Sequence, residues 1–151
     1  MQIFIDADAC PVREEVYKVA LRHATPVCVV SNSYLRVLTH PLIKRIVVSD
    51  NFDAADDYIA ERVDARAIAI TADILLADRC IKAGAIVIGP NGKPFTPDSI
   101  GAALATRAIM VDLRAGLTSD NIGGPPPFKP ADRSRFLQSL HEAIVKMKRD
   151  G

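Results

Sequence analysis

The chain has 151 residues, of which 49% are hydrophobic and 25% charged, with no tryptophan and a formal net charge of +1. That length suits a single domain burying about 68–70% of its unfolded surface, and the composition is too apolar for a disordered chain. No apolar run approaches the roughly 20 residues of a membrane span, and the start, acidic by Asp6, lacks a secretory layout, so a cytoplasmic location is expected.

Five short apolar runs, at 2–5, 27–31, 45–49, 67–71 and 85–89, are continuous rather than alternating. Such runs suit strands buried on both faces of a parallel sheet. Between the first two, residues 11–23 place Val12, Val16, Val19, Ala20 and His23 at helical spacing, with Pro11 suited to the first helical position. The segment joining the second and third runs, "NSYLRVLTHPL", reads as an irregular connection or a short helix. Residues 53–63 and 73–83 read as helices that each begin at an aspartate able to cap, and Gly84 ends the second. After the fifth run "PNGKPF" reads as a turn, and Thr96-Pro97 as the cap and first residue of a long helix to about residue 115. "GLTSDNIGGPPPFKP" is a Gly/Pro-rich loop too long for a plain connector, which points to function. A last amphipathic helix, 131–149, carries Phe136, Leu137, Leu140, Ile144 and Met147 on one face. The alternation predicts an α/β protein, a three-layer α/β/α sandwich on a mainly parallel five-stranded sheet, with 1–151 as one domain and the helices of 97–149 on the same core.

Charge is uneven along the chain. Residues 1–79 hold 12 acidic and 9 basic side chains, and residues 80–151 hold 6 and 10, an arrangement suited to a cation site beside a surface that meets phosphates. The aspartates fall where ligands bind in open parallel sheets, beyond the carboxyl ends of the strands: Asp6 and Asp8 after the first run, Asp53, Asp56 and Asp57 after the third, Asp73 after the fourth. Asp53, Asp56 and Asp57 share a helical face, and their repulsion, roughly 0.2–0.5 kcal/mol per pair, is relieved by a divalent cation. Asp53 and Asp73 serve equally as helix caps, and Asp8 as a cap for the helix after Pro11. Asp6 is different: a carboxylate closing a buried strand needs donors or a cation against its desolvation. Oxygen ligands favour Mg²⁺ or Mn²⁺ over zinc. Cys10, Cys28 and Cys80 show neither disulfide nor zinc-knuckle spacing, and Cys10 reads as a small packing residue.

Four motifs in order, "DADACPV", "FDAADDYIAE", "ITADILLA" and "GGPPPFKPADRSRF", span nearly the whole chain, which resembles the YaiI/YqxD family of bacterial proteins. The likeness implies kinship with PIN-like nuclease domains, in which carboxylates at the ends of a parallel sheet bind divalent metal and cleave phosphodiesters. By that resemblance Asp6 takes the place of the first-strand aspartate, Asp73 that of the aspartate after the fourth strand, and Asp53 and Asp56 match the helical pair. Asp57 is an extra acid where an amide is expected, and Leu38 and Leu75 replace prolines.

The expected function is therefore a Mg²⁺- or Mn²⁺-dependent nuclease acting on RNA or single-stranded nucleic acid. Asp6, Asp8, Asp56 and Asp73 would be catalytic, and with Asp53 would hold metal. Asn32 and Thr71, at neighbouring strand ends, would orient water or a phosphate oxygen. Arg107, Arg114, Arg133 and Arg135, with the backbone N–H groups of Gly123 and Gly124, would follow the phosphates. Only Tyr34, Tyr58 and Phe128 look placed to stack on a base. Two other readings stay open. "FIDAD" and "VVSN" mimic haloacid-dehalogenase phosphatase motifs, although the lysine and cap of that family are not evident. A non-catalytic, metal-stabilised module binding RNA or protein is the other. A homodimer through the last helix and the proline loop is also expected.

Overall fold

The computed structural model describes residues 1–51, 53–116 and 128–150. Six strands, β1 (Gln2–Asp6), β2 (Val27–Ser31), β3 (Ile43–Val47), β4 (Ala67–Ile70), β5 (Ile86–Ile88) and β6 (Pro94–Phe95), form one sheet in the order β3-β2-β1-β4-β5-β6. The first five are parallel, and β6 pairs antiparallel with β5. The sixth strand comes from the segment that reads as a turn. Gly89 and Lys93 close a hairpin there through Gly89 N–H to Lys93 O at 3.0 Å.

The helices are α1 (Arg13–Arg22), α2 (Ala54–Arg62), α3 (Ile74–Lys82), α4 (Pro97–Gly116) and α5 (Pro130–Asp150). The strand pleat sorts the core into two halves. Ile3, Ile5, Val27, Val29, Ile68, Ile70 and Ile88 meet Val16 and Ala20 of α1 and Phe136, Leu140 and Ile144 of α5. On the other face Phe4, Cys28, Val30, Ala67, Ala69 and Val87 meet Ala55 and Ile59 of α2, Leu76 and Cys80 of α3 and Ile100 of α4. These two apolar layers give a three-layer α/β/α sandwich. Each fully buried isoleucine on the α1–α5 side contributes roughly 1.5–3 kcal/mol, so α5 is anchored as firmly as the crossover helices. No helix among the described residues is long and apolar enough to cross a membrane.

Two local expectations change, and a third, the irregular connection, holds. β3 starts two residues earlier than its apolar pattern, because pairing along the whole of β2, from Val27↔Ile43 to Ser31↔Val47, sets its register; at a sheet edge Lys44 and Arg45 remain exposed and cost little. Pro11 lies before α1, whose N-cap is the fully buried Val12, with no side-chain cap. Residues 32–42 contain no helix. Thr96 is the cap expected of it: Ser99 N–H donates to Thr96 Oγ1 at 3.1 Å, and Thr96 N–H to Ser99 Oγ at 2.8 Å.

Candidate functional site

The strand order reverses between β1 and β4: from β1 the chain builds outward through β2 to β3, then returns to lay β4 on the other side. Crossover loops diverge at such a point and leave a crevice at the carboxyl edge. A pocket of about 290 Å³ lies here, lined by Asp6, Asp8, Asn32, Asp56, Ala72, Asp73 and Pro90. Four carboxylates and no basic side chain line it.

Each acid is held by a different local device. Asp6 ends β1 and is half-buried; Thr71, at the end of β4 and 1% exposed, donates its hydroxyl to Asp6 Oδ2 at 2.8 Å. The same Thr71 oxygen accepts from Asp73 N–H at 3.0 Å, so one hydroxyl fixes the β1 and β4 ends together. Asp73 is the N-cap of α3, its Oδ1 accepting from Leu75 N–H at 2.9 Å and Leu76 N–H at 3.1 Å. That leaves Asp73 Oδ2 without a capping bond. Asp8 sits in the 3-10 turn Ala7–Ala9 and accepts from Asn32 N–H through both oxygens, at 3.2 and 3.1 Å. It does not cap α1. The Asn32 amide in turn donates to Ser49 O at 2.9 Å and Asn51 O at 3.3 Å, tying the β3–α2 loop to the end of β2.

The crowding has an electrostatic consequence. Burial raises the Asp6 carboxyl above its ordinary value; the Thr71 bond opposes this, and Asp73 and Asp8 add to it. Burial also lifts Asp56, with Asp73, Asp6 and Asp53 adding and Arg79 opposing, to about 7. Between about pH 4 and 7, folded Asp56 therefore keeps a proton that the unfolded chain has released. Stability from this group is present at low pH and is lost as pH rises through about 7. The metal-free protein is expected to melt higher at pH 5 than at pH 8 by a margin that Asp56→Asn narrows, the raised Asp6 supplying the rest. His23, whose pKa is lowered mainly by burial, pulls the slope the other way. The check is thus the difference in melting temperature between wild type and Asp56→Asn across that range, and an unchanged difference would contradict the raised Asp56.

The remaining candidates are placed elsewhere. Asp53 is exposed, makes no side-chain cap bond at the start of α2 and does not line the pocket. Asp57 pairs with Arg79 at 2.8 Å. Thr71 is too buried to meet a substrate and acts on Asp6 instead. Arg133 pairs with Glu15 of α1 at 3.2 Å beneath Phe128, and Arg135 with Asp132 at 3.0 Å. Arg107 is exposed on α4, which packs on the opposite layer from α5. Arg107 and Arg133 therefore do not form one continuous face. The side chain of Arg114, and Gly123 and Gly124, lie outside the described residues. Burial pushes the Cys10 thiol up to about 11, in keeping with a packing role. Pro90, two residues past β5, lines the pocket although the sequence gives it no role above; its place near a strand's carboxyl end was the available signal.

Among the described residues no three His, Cys, Asp or Glu side chains gather closely enough to hold an ion between them. The pocket is thus not a closed cage of the kind Ca²⁺ or Zn²⁺ takes. Its open lining has room for an ion such as Mg²⁺ or Mn²⁺ bound through one or two carboxylates and water.

Fold and pocket together define an α/β/α protein with an acidic crevice at the switch point of a parallel sheet. Residues 4–146 match the model of the YaiI/YqxD family. A UPF0178 protein of Sphingopyxis alaskensis is 67% identical over 97% of this chain and 95% of its own length. Similar proteins of Nitrobacter winogradskyi, at 55% over 99% and 94%, and of a Jannaschia species, at 52% over 97% and 94%, also align end to end. The chain belongs to the YaiI/YqxD family. No solved structure matches it.

Proposed function

We propose that the chain is a divalent-metal-dependent phosphodiesterase of PIN-like type, acting on RNA or single-stranded nucleic acid. The observation that carries this reading is the convergence of Asp6, Asp8, Asp56 and Asp73, from three separate segments, on one pocket without a cation of its own. Acids gathered in one pocket with no basic side chain beside them repel one another, so they point to a ligand that neutralises them.

A Mg²⁺ or Mn²⁺ ion would be held by one or two of Asp6, Asp8, Asp56 and Asp73 at a time, with water and substrate phosphate completing its shell. A bound ion supplies Lewis-acid stabilisation of a phosphoryl oxygen and a lowered pKa for attacking water. The chain supplies the positioning. Thr71 locks Asp6 in one rotamer, the α3 N-terminus locks Asp73, and the Asn32 N–H locks Asp8, so three carboxylates are presented without reorganisation. Asp56 bears no such bond, and its raised carboxyl must give up its proton before it can meet an ion.

The test is calorimetric titration of Mn²⁺ and Mg²⁺ into the metal-free protein, with cleavage of a labelled single-stranded RNA measured with and without chelator. Binding is expected to tighten from pH 5.5 to 7.5 as Asp56 gives up its proton, and cleavage to stop with chelator. No binding at pH 7.5, or cleavage indifferent to chelator, would end this reading.

A further inference from the structure

Arg107 and Arg133, expected on one phosphate track, lie on helices of opposite layers, whereas a different surface adjoins the pocket. From Ser31 to Ser49 the chain has no acidic residue but has Arg36, His40, Lys44 and Arg45. This stretch starts at the pocket, because Asn32 both lines it and holds Asp8. It then runs along the sheet's open edge, where Val37, Leu38, His40, Lys44 and Arg45 border a groove of about 600 Å³.

Tyr34 is the decisive residue. Of the three aromatic side chains able to stack on a base, Tyr58 lies under the Arg62 guanidinium at 3.6 Å and is half-buried, and Phe128 packs on the core. Tyr34 is 69% exposed, with the Arg45 guanidinium 4.2 Å from its ring centroid. The cation covers one ring face and orients it; the other face is open to solvent. A tyrosine held flat by an arginine is the platform on which a nucleobase stacks, with the same arginine near enough to meet a phosphate. Two residues of chain span at most about 7 Å, so a base on Tyr34 belongs to a nucleotide close to one whose phosphate reaches the pocket.

We infer that Tyr34 and Arg45, with Arg36, form a binding platform for single-stranded nucleic acid that leads along the β2–β3 connection into the carboxylate pocket. This rests on the phosphodiesterase reading for its geometry, yet binding and hydrolysis separate in the test. A duplex keeps its bases inside and offers nothing to Tyr34, so the platform selects single strands.

The test uses a fluorescein-labelled oligouridylate and its duplex with oligoadenylate, with anisotropy measured in chelator so that nothing is cleaved. The single strand is expected to bind better than the duplex. Tyr34→Ala is expected to weaken binding roughly five- to hundredfold and Tyr34→Phe to leave it intact. Arg45→Ala is expected to lower the slope of log affinity against log salt by about 0.7. Both side chains are exposed, so the variants should fold; melting curves confirm it. Wild type that fails to bind, or Tyr34→Ala and Arg45→Ala that bind as wild type does, would overturn the platform. So would a concentration-dependent dimer lost in Tyr34→Ala, which would assign this edge to a second copy. Tyr34-dependent binding without cleavage in Mn²⁺ would keep the platform and remove the phosphodiesterase reading; cleavage indifferent to Tyr34 would do the reverse.

Discussion

Asp6→Asn is expected to reduce cleavage of single-stranded RNA by about 10²–10³-fold and to weaken Mn²⁺ binding, while the metal-free protein melts at the same temperature or slightly higher. The rate effect follows from removing a carboxylate that would hold the ion: such charge stabilisation is worth several kcal/mol, and each 1.36 kcal/mol is tenfold in rate. The stability effect has the opposite sign for a local reason. Burial and the neighbouring Asp73 and Asp8 disfavour the ionised Asp6, and the Thr71 hydroxyl only partly offsets this. An asparagine keeps its carbonyl oxygen for Thr71 and sheds the charge, and its amide can donate to an adjoining carboxylate. Calorimetry and a cleavage time course measure the first part, and thermal melting in chelator the second. If the variant instead melted several degrees lower without metal, Asp6 would be a structural strand terminus, and the pocket would lose its claim to a cation.

The same contrast shows how far the sequence carries. That Asp6, Asp8 and Asp73 end up together was legible, because apolar runs mark the strands and ligands gather at their carboxyl ends. Asp53, Asp56 and Asp57 were less so. Helical spacing places all three on one face, but Asp53 lies just outside α2, Asp56 turns into the pocket and Asp57 reaches Arg79 on α3. What divides them is how α2 docks, through Ala55 and Ile59 against the sheet, and that is a tertiary fact. Asp73 was readable as either cap or ligand, and its geometry shows a cap that still lines the pocket: one oxygen is bound by α3 and the other is left over. Linear charge does not know the layers. Arg107 and Arg133 lie in the same half of the sequence and on opposite sides of the sheet, whereas Tyr34 and Arg45, eleven positions apart, are stacked.

Gly92→Ala is expected to lower the melting temperature by roughly 5–15 °C, and Gly101→Ala to leave it unchanged or raise it. Both replace a glycine by the smallest chiral residue, so the difference isolates backbone and contact. Gly92 has φ +84°, a left-handed conformation costing an alanine about 1–2 kcal/mol. A Cβ there would stand 2.5 Å from Arg135 C and from Phe136 N, which are backbone atoms that can give way only by moving α5. Overpacking of that kind costs about 1–3 kcal/mol more, and at this chain length each kcal/mol is about 2–4 °C. Gly101, inside α4, has nothing within 4 Å of its would-be Cβ, so alanine there gains helix propensity of about 0.8–1 kcal/mol. The sequence marks the turn, since Pro90-Asn91-Gly92 is hairpin chemistry with glycine at the left-handed position, but not that α5 presses on it. Ser139 Oγ donates to Gly92 O, and Arg135 Nη1 to Asn91 O at 3.1 Å. Phe136, fully buried beneath, fixes the approach. Because Pro90 lines the carboxylate pocket, loosening this clamp should also weaken Mn²⁺ binding in the folded variant. Equal melting temperatures for the two variants would mean that α5 does not seat on the β5–β6 turn, and the Pro90 wall of the pocket would have to be redrawn.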